Sequence, residues 1–169
     1  MELAGILPSA VVIVVVATTV LSGPLGPVDL TTDPTTCAEN VFPEQRNATV
    51  DPRTVPERAT LTRSDFVADV WRLTVPAATV NVSDVSGRPT VSYRLQVPEL
   101  GRTVGTRVVL SHCTSGRVPL RIDEATLPPE AVEEEQYDAT AFVVYRGTEN
   151  GTKVERTLVT RNATVEVAE

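Results

Sequence analysis

The sequence contains few aromatic residues, one lysine and no excess of positive charge. Aromatic residues make up 4% of its 169 residues, so the hydrophobic core must consist of Val, Leu and Ile with few large side chains. The 22 acidic residues outnumber the 15 basic residues and give a net charge of −7. A protein that binds nucleic acid needs a basic stripe to neutralise phosphates. The composition therefore argues against nucleic-acid binding.

Motifs for catalysis, cofactors and metals are also missing. The chain has no glycine-rich phosphate loop, no G-x-S-x-G and no H-E-x-x-H. His112 and Cys113 form the one pair that suggests a base and a nucleophile, but neighbours on a strand point to opposite faces. One histidine and two cysteines are too few for a zinc site. We therefore expect a protein that is not an enzyme and has no cofactor and no metal site.

The acidic residues concentrate between positions 123 and 138, where seven carboxylates fall within 16 residues. Hard cations prefer clustered oxygens, so a calcium site is one interpretation. The spacing is not that of an EF-hand and lacks its central glycine. A hydrated acidic loop is the favoured interpretation. The seven residues are Asp123, Glu124, Glu130, Glu133, Glu134, Glu135 and Asp138.

Valine and threonine are abundant and account for 52 residues, which favours strands over helices. Apolar and polar residues alternate from about residue 59 onward, most clearly in residues 91–97. Period two with one polar face is typical of antiparallel sheets that pack on one side only. Asn150-Gly151 lies between two such runs and predicts a tight hairpin. We expect eight or nine short strands from residue 59 to the end.

Residues 1–22 are predicted to form a membrane-spanning helix or a signal segment. No charged residue occurs between Glu2 and Asp29, and residues 3–21 are almost wholly apolar. Nineteen residues in a helix rise about 28 Å, close to the hydrocarbon thickness of a bilayer. The length of this run and the lack of basic residues before it favour a retained anchor over a cleaved signal peptide.

Residues 23–58 contain six prolines and no periodic pattern, which is typical of an extended linker. Cys37 lies in this linker, and Cys113 lies in the following domain, residues 59–169. Two cysteines in an exported domain favour one disulfide, with two unpaired thiols as the alternative. The bridge would close a loop of 76 residues (113 minus 37) and stabilise the fold by about 4 kcal/mol in the chain-entropy model.

Four N-x-[ST] sequons follow the linker's first half, and none has proline in its middle position. One sequon arises easily by chance in a threonine-rich chain, but four favour an extracellular, glycosylated domain. The acceptor residues are Asn47, Asn81, Asn150 and Asn162.

The turn spacing predicts a two-sheet β-sandwich with immunoglobulin-like connections, with a closed barrel as the alternative. Residues 127–145 resemble the corner before strand F in fibronectin type III and immunoglobulin-like domains, where a Leu and a Pro precede a Tyr that opens an alternating strand. The resemblance implies that the Tyr137 hydroxyl bonds to the backbone of that corner, and that Trp71 is the buried core tryptophan. The cysteine pair departs from the usual inter-sheet bridge, because Cys37 lies in the linker.

In composition and layout, the whole chain resembles the small single-pass surface proteins of haloarchaea. Surface carboxylates keep a protein hydrated when salt screens repulsion; an ordinary acidic protein from a GC-rich genome is the alternative. The resemblance implies a non-catalytic envelope protein, anchored in the cell membrane with its C-terminal domain outside, that acts in structure or binds another surface protein. The alternatives are a pilin-like or stator-like accessory of a surface filament and a small-ligand or calcium-binding module.

Overall fold

Strands dominate the computed structural model of the protein, which describes residues 45–64 and 70–168. These residues form ten strands, one short 3-10 turn (Pro129–Ala131) and no α-helix. The strands are β1 (Asn47–Thr54), β2 (Arg58–Arg63), β3 (Trp71–Thr74), β4 (Ala78–Ser86), β5 (Thr90–Val97), β6 (Arg102–Val109), β7 (Gly116–Leu120), β8 (Ala125–Leu127), β9 (Gln136–Glu149) and β10 (Thr152–Ala168).

The strands form two separate sheets. The smaller sheet has the order β1-β4-β7, and the larger sheet has the order β6-β5-β9-β10-β2-β3-β8. All pairs are antiparallel except β10 with β2, which run parallel. The apolar faces of the two sheets contribute to one core in a sandwich-like arrangement. The predicted all-β fold is therefore confirmed.

The core consists of alternate residues from both sheets, as period-two packing requires. The predicted alternation in β5 is confirmed, because its four apolar residues are at most 1% exposed. Burying a side chain of the Val or Leu type stabilises the fold by about 1.5–3 kcal/mol relative to leaving it exposed. These residues of β5 are Val91, Tyr93, Leu95 and Val97, and they belong to the same core cluster as Val80 and Val82 of the smaller sheet.

The predicted hairpin at Asn150-Gly151 is confirmed, since these two residues alone connect β9 and β10. Both have positive φ, 49° for Asn150 and 75° for Gly151. Positive φ at both central positions defines the type I′ turn, whose twist matches that of the flanking strands. The two strands have 14 and 17 residues, so they are longer than the short strands expected from the sequence.

The structure differs from the predicted linker, residues 23–58, at its C-terminal end, because residues 47–54 form β1. This strand alternates between exposed and half-buried positions, with Ala48 and Val50 packed against the core. Pro52 hides the pattern in the sequence, since proline usually interrupts a sheet. It is tolerated here because β1 lies at the edge of its sheet and the register shifts after Pro52.

The predicted membrane segment, residues 1–22, and the linker up to residue 44 lie outside the described residues. Within the part of the chain that the structure describes, no helix has the length and apolar character needed to cross a bilayer.

Candidate binding face

Three arginines and one glutamate gather on the outer face of the larger sheet. Each belongs to a different strand and alternates with inward-facing residues, so period two points its side chain away from the core. The strand order β6-β5-β9-β10 places the four residues on adjacent strands, close enough for the charges of Arg94 and Arg107 to act on Glu155. We call them the arginine face: Arg107 on β6, Arg94 on β5, Arg146 on β9 and Glu155 on β10.

Arg146 and Glu155 form a bidentate ion pair across β9 and β10. Arg146 Nε donates to one carboxylate oxygen at 2.7 Å and Nη2 donates to the other at 3.0 Å. The hydrogen bond from Arg146 holds the pKa of Glu155 below its ordinary value, against the opposing effect of desolvation, and the charges of Arg94 and Arg107 add to the lowering. Glu155 therefore stays ionised and neutralises one of the three arginines.

Arg94 and Arg107 have no such neutralising partner in residues 45–64 and 70–168, where the observed salt bridges involve other residues. Arg94 is half-buried and Arg107 is exposed. Both have five N–H donors in a fixed planar arrangement that suits carboxylate, sulfate or phosphate oxygens. These two guanidinium groups can therefore bind an anion.

Gly105 of β6 makes room for Arg94. The two residues are directly opposite each other in the β5–β6 ladder. A Cβ at position 105 would lie 2.9 Å from Arg94 Cγ and 2.9 Å from the Tyr93 carbonyl oxygen. The aliphatic part of Arg94 consequently lies over the backbone of β6, where any larger residue at position 105 would displace it.

Ser92 lies beneath the arginines, in a depression of about 390 Å³ that Arg94, Gly105 and Arg107 also line. It is 2% exposed, and its hydroxyl has no hydrogen-bond partner within the described residues. A buried hydroxyl without a partner costs free energy unless something else satisfies it. The depression thus combines two arginines with the Ser92 hydroxyl, which can still donate and accept hydrogen bonds.

The basic character continues toward the turn end of the β9–β10 hairpin. A second depression, of about 460 Å³, is lined by Arg46, Arg88 and Lys153 and shares Arg146 and Glu155 with the arginine face. Six basic side chains thus line these two depressions on a chain whose net charge is −7. Such a concentration of one charge sign raises the local concentration of anions.

The Tyr145 hydroxyl fixes the start of β1 beside this basic region. It accepts a hydrogen bond from the Ala48 N–H at 3.1 Å and lies within 3.3 Å of the Arg46 carbonyl and Asn47 Oδ1. Burial is the main cause that raises the pKa of Tyr145 above its ordinary value. Gly147 permits this approach, because a Cβ there would collide with the Arg46 carbonyl and the Tyr145 hydroxyl.

Tyr137, which the sequence placed at an immunoglobulin-like corner, is the second residue of β9 and is 4% exposed. Its hydroxyl accepts hydrogen bonds from the Glu133 N–H at 2.7 Å and the Glu134 N–H at 2.9 Å. The side chain therefore ties the acidic segment before β9 to the core.

Trp71, which the resemblance implied as the buried core tryptophan, is the first residue of β3 and is half-buried. It packs against the core from the side, and the Arg63 guanidinium lies 5.7 Å from the centre of its ring, within cation–π distance. Trp71 pairs with Leu127 of β8, a strand of three residues at the edge of the sheet.

The remaining predicted residues do not converge on one place. His112 and Cys113 are both exposed in the turn between β6 and β7, and Cys37 lies outside the described residues, so the disulfide stays a prediction. Three of the four sequon asparagines, Asn47, Asn150 and Asn162, are exposed. The fourth, Asn81, is half-buried on the central strand β4 of the smaller sheet.

The acidic residues of positions 123–138 are exposed, and they lie just before β8, in the 3-10 turn, in the segment before β9 and at the start of β9. Across the described ranges, no three His, Cys, Asp or Glu side chains come close enough to hold a metal ion. These acidic residues and the arginine face lie at opposite ends of β9 and toward opposite edges of the larger sheet.

The arginine face was missed by reasoning from the sequence. Its members are 61 positions apart at the extremes (155 minus 94) and are brought together only by the strand order. The sequence signal that could have revealed this face is arginine at outward positions of predicted strands, where threonine or serine would be polar enough. No known protein family matches this sequence, and no curated protein is significantly similar to it.

Proposed function

We propose that this protein is a non-catalytic surface domain of the cell envelope, anchored by residues 1–22, that binds an acidic partner through the arginine face. The observation that carries the proposal is the pair Arg94 and Arg107, which lie on an outward sheet face without a neutralising partner in the described part of the chain. Charged groups on a rigid sheet bind a partner without the cost of ordering a loop.

We further propose immunoglobulin-like connections for the sandwich. The support is the corner before β9, where the Tyr137 hydroxyl bonds to the backbone of Glu133 and Glu134. A tyrosine in this role is a hallmark of immunoglobulin-like sandwiches, an architecture that many cell-surface domains share. Fold likeness alone does not specify a partner, so the argument for binding depends on the arginine face.

Display on the cell surface is tested by the intact mass of the protein from its native membrane fraction, with and without reductant and alkylation. We expect the full-length mass plus glycan, with two thiols that react only after reduction. Protease added to intact cells should remove residues 45–168. An unmodified mass with two reactive thiols, or resistance to external protease, would place the domain inside the cell and refute the proposal.

Binding through the arginine face is tested with the double variant Arg94→Gln/Arg107→Gln. We expect it to lose at least tenfold in affinity for washed envelope fragments. The matched control is Arg58→Gln/Arg161→Gln, which removes two exposed arginines from β2 and β10 and should bind like the unchanged protein. Equal losses in both variants would show that binding depends on total charge, not on this face.

A further inference from the structure

Three of the four sheet edges carry features that prevent another strand from pairing. β1 contains Pro52 and two register shifts, β7 has five residues and contains Pro119, and β8 has three residues. Proline, irregular register and short length are the usual means by which proteins protect sheet edges.

β6 is the exception. It has eight residues, contains no proline and pairs with β5 without any register shift. In the described part of the chain it forms the outer edge of the larger sheet. A long regular edge exposes a row of unpaired N–H and C=O groups, which is a template for an added strand.

The hydrogen-bond alternation shows which groups face the open edge. The Leu110 N–H donates to the Pro89 carbonyl at 2.9 Å, so every second residue back from Leu110 bonds toward β5. The intervening residues direct their N–H and C=O groups outward: Thr103, Gly105, Arg107 and Val109. Among the described residues, Val109 is the one large hydrophobic residue that is exposed, with 48% of its surface accessible.

The charges beside this edge decide what kind of strand can pair with it. Arg107 projects from β6 itself, and Arg94 lies over β6 at Gly105. Antiparallel pairing of β6 with β6 of another copy in the register that puts Arg107 opposite Arg107 would place like charges on neighbouring strands, which is destabilising. A strand with carboxylates on the same face would instead form cross-strand ion pairs.

We propose that β6 accepts an extended acidic polypeptide segment as an additional strand, with its carboxylates facing Arg94 and Arg107. The inference rests on the proposed function and specifies the chemistry of its partner. Neighbouring strands lie about 4.8 Å apart, so a carboxylate on the added strand reaches Arg107 directly. Backbone hydrogen bonds supply affinity, and alternate side chains supply specificity, as in other strand-addition complexes.

The probe is an octapeptide of alternating Thr and Glu, added to the full-length chain in detergent micelles. We expect saturable binding that slows amide exchange at Thr103, Gly105, Arg107 and Val109, whose N–H groups have no hydrogen-bond partner within residues 45–64 and 70–168. A peptide of the same sequence with methylated backbone nitrogens keeps its charge but cannot complete the ladder. It should bind at least tenfold more weakly.

Two variants separate the backbone contribution from the charge contribution. Thr103→Pro removes one outward N–H while leaving the bonds to β5 intact, because proline is tolerated where its nitrogen faces outward from an edge strand. It should lose at least tenfold in peptide affinity, as should Arg94→Gln/Arg107→Gln. Arg58→Gln/Arg161→Gln is again the matched control. If Thr103→Pro does not fold, the methylated peptide provides the same comparison.

Three outcomes would overturn the strand-addition proposal. The first is equal binding of the methylated peptide, with dextran sulfate binding as tightly, which would make the arginine face a general anion site and leave the proposed function intact. The second is concentration-dependent protection of β6 in the protein alone, which would mean pairing between two copies. The third is no binding and no protection. Surface display, tested separately, is unaffected by all three.

Discussion

The hydroxyl groups of Tyr137 and Tyr93 both lie within the core region but differ in their hydrogen-bond partners. The Tyr137 hydroxyl accepts hydrogen bonds from two backbone N–H groups, whereas the Tyr93 hydroxyl has no hydrogen-bond partner among the described residues. We expect Tyr137→Phe to reduce the free energy of unfolding by about 1–2 kcal/mol, because two hydrogen bonds are lost. Tyr93→Phe should be neutral or stabilising, because it removes a polar group that has no partner.

Urea denaturation of the two variants measures this difference, and each serves as the control for the other because both remove one hydroxyl from a buried tyrosine. A larger loss of stability in Tyr93→Phe than in Tyr137→Phe would mean that the Tyr93 hydroxyl stabilises the fold more than the Tyr137 hydroxyl does, which contradicts the prediction.

The burial of Tyr93 also predicts how stability depends on alkaline pH. Burial raises the pKa of its hydroxyl from 10.0 to about 12. Above about pH 10 the unfolded chain loses this proton while the folded chain keeps it, so deprotonation lowers the free energy of the unfolded state relative to the folded state. The stability contribution is therefore complete below about pH 10 and declines as the pH rises toward about 12.

Tyr93→Phe should accordingly show a shallower loss of stability between about pH 10 and about pH 12 than the unchanged protein. Thermal unfolding across this range measures the slope. Parallel pH profiles for the two proteins would contradict an ionisation at Tyr93.

At the scale of elements, the strands that alternate cleanly could be predicted from the sequence. β5 and the β9–β10 hairpin follow directly from period-two apolar residues and from Asn150-Gly151. β1 could not be predicted in the same way, because Pro52 and its surroundings match a linker equally well. What makes β1 a strand is its position at a sheet edge beside β4, and tertiary position is not encoded in a local pattern.

The arginine face illustrates the same limit for the binding site. The outward positions of Arg94 and Arg107 follow from alternation, but their proximity to Arg146 follows from the strand order β6-β5-β9. A chain of this composition permits many strand orders. Tyr137 is different, since its partners Glu133 and Glu134 are four and three residues away (137 minus 133 and 137 minus 134). A local motif could therefore predict its hydrogen bonds.

The hairpin turn between β9 and β10 offers a test at the scale of elements. Gly151 has a φ of 75°, where an L side chain costs about 1–2 kcal/mol. Gly151→Ala should therefore reduce the free energy of unfolding by about 1–2 kcal/mol, although nothing lies within 4 Å of the new methyl group.

Asn150→Gly is the matched substitution, since glycine also adopts positive φ without strain. It should change the free energy of unfolding by less than about 0.5 kcal/mol. Both measurements require unglycosylated protein, because Asn150 belongs to a sequon. A loss in Asn150→Gly equal to that in Gly151→Ala would show that side-chain contacts of the turn matter more than its backbone conformation.

At the scale of the whole molecule, an acidic chain displays one basic region on one end of its larger sheet. Salt screens charges over about 8 Å at physiological ionic strength and about 3 Å at 1 M. In high salt, therefore, only ion pairs in direct contact retain their energy. Long-range attraction is therefore weak under such conditions. Binding at the β6 edge would be less affected, because backbone hydrogen bonds would bring carboxylates into direct contact with Arg107.

The two cysteines provide the last prediction, because a bridge between them would act on the whole domain. Closing 76 residues (113 minus 37) should stabilise the fold by about 4 kcal/mol, mainly by restricting the unfolded chain. Cys37→Ser, Cys113→Ser and the double variant should then lose the same free energy of unfolding, since each removes the same bond. Urea denaturation measures the three losses. Additive losses in the double variant would instead indicate two thiols that contribute separately.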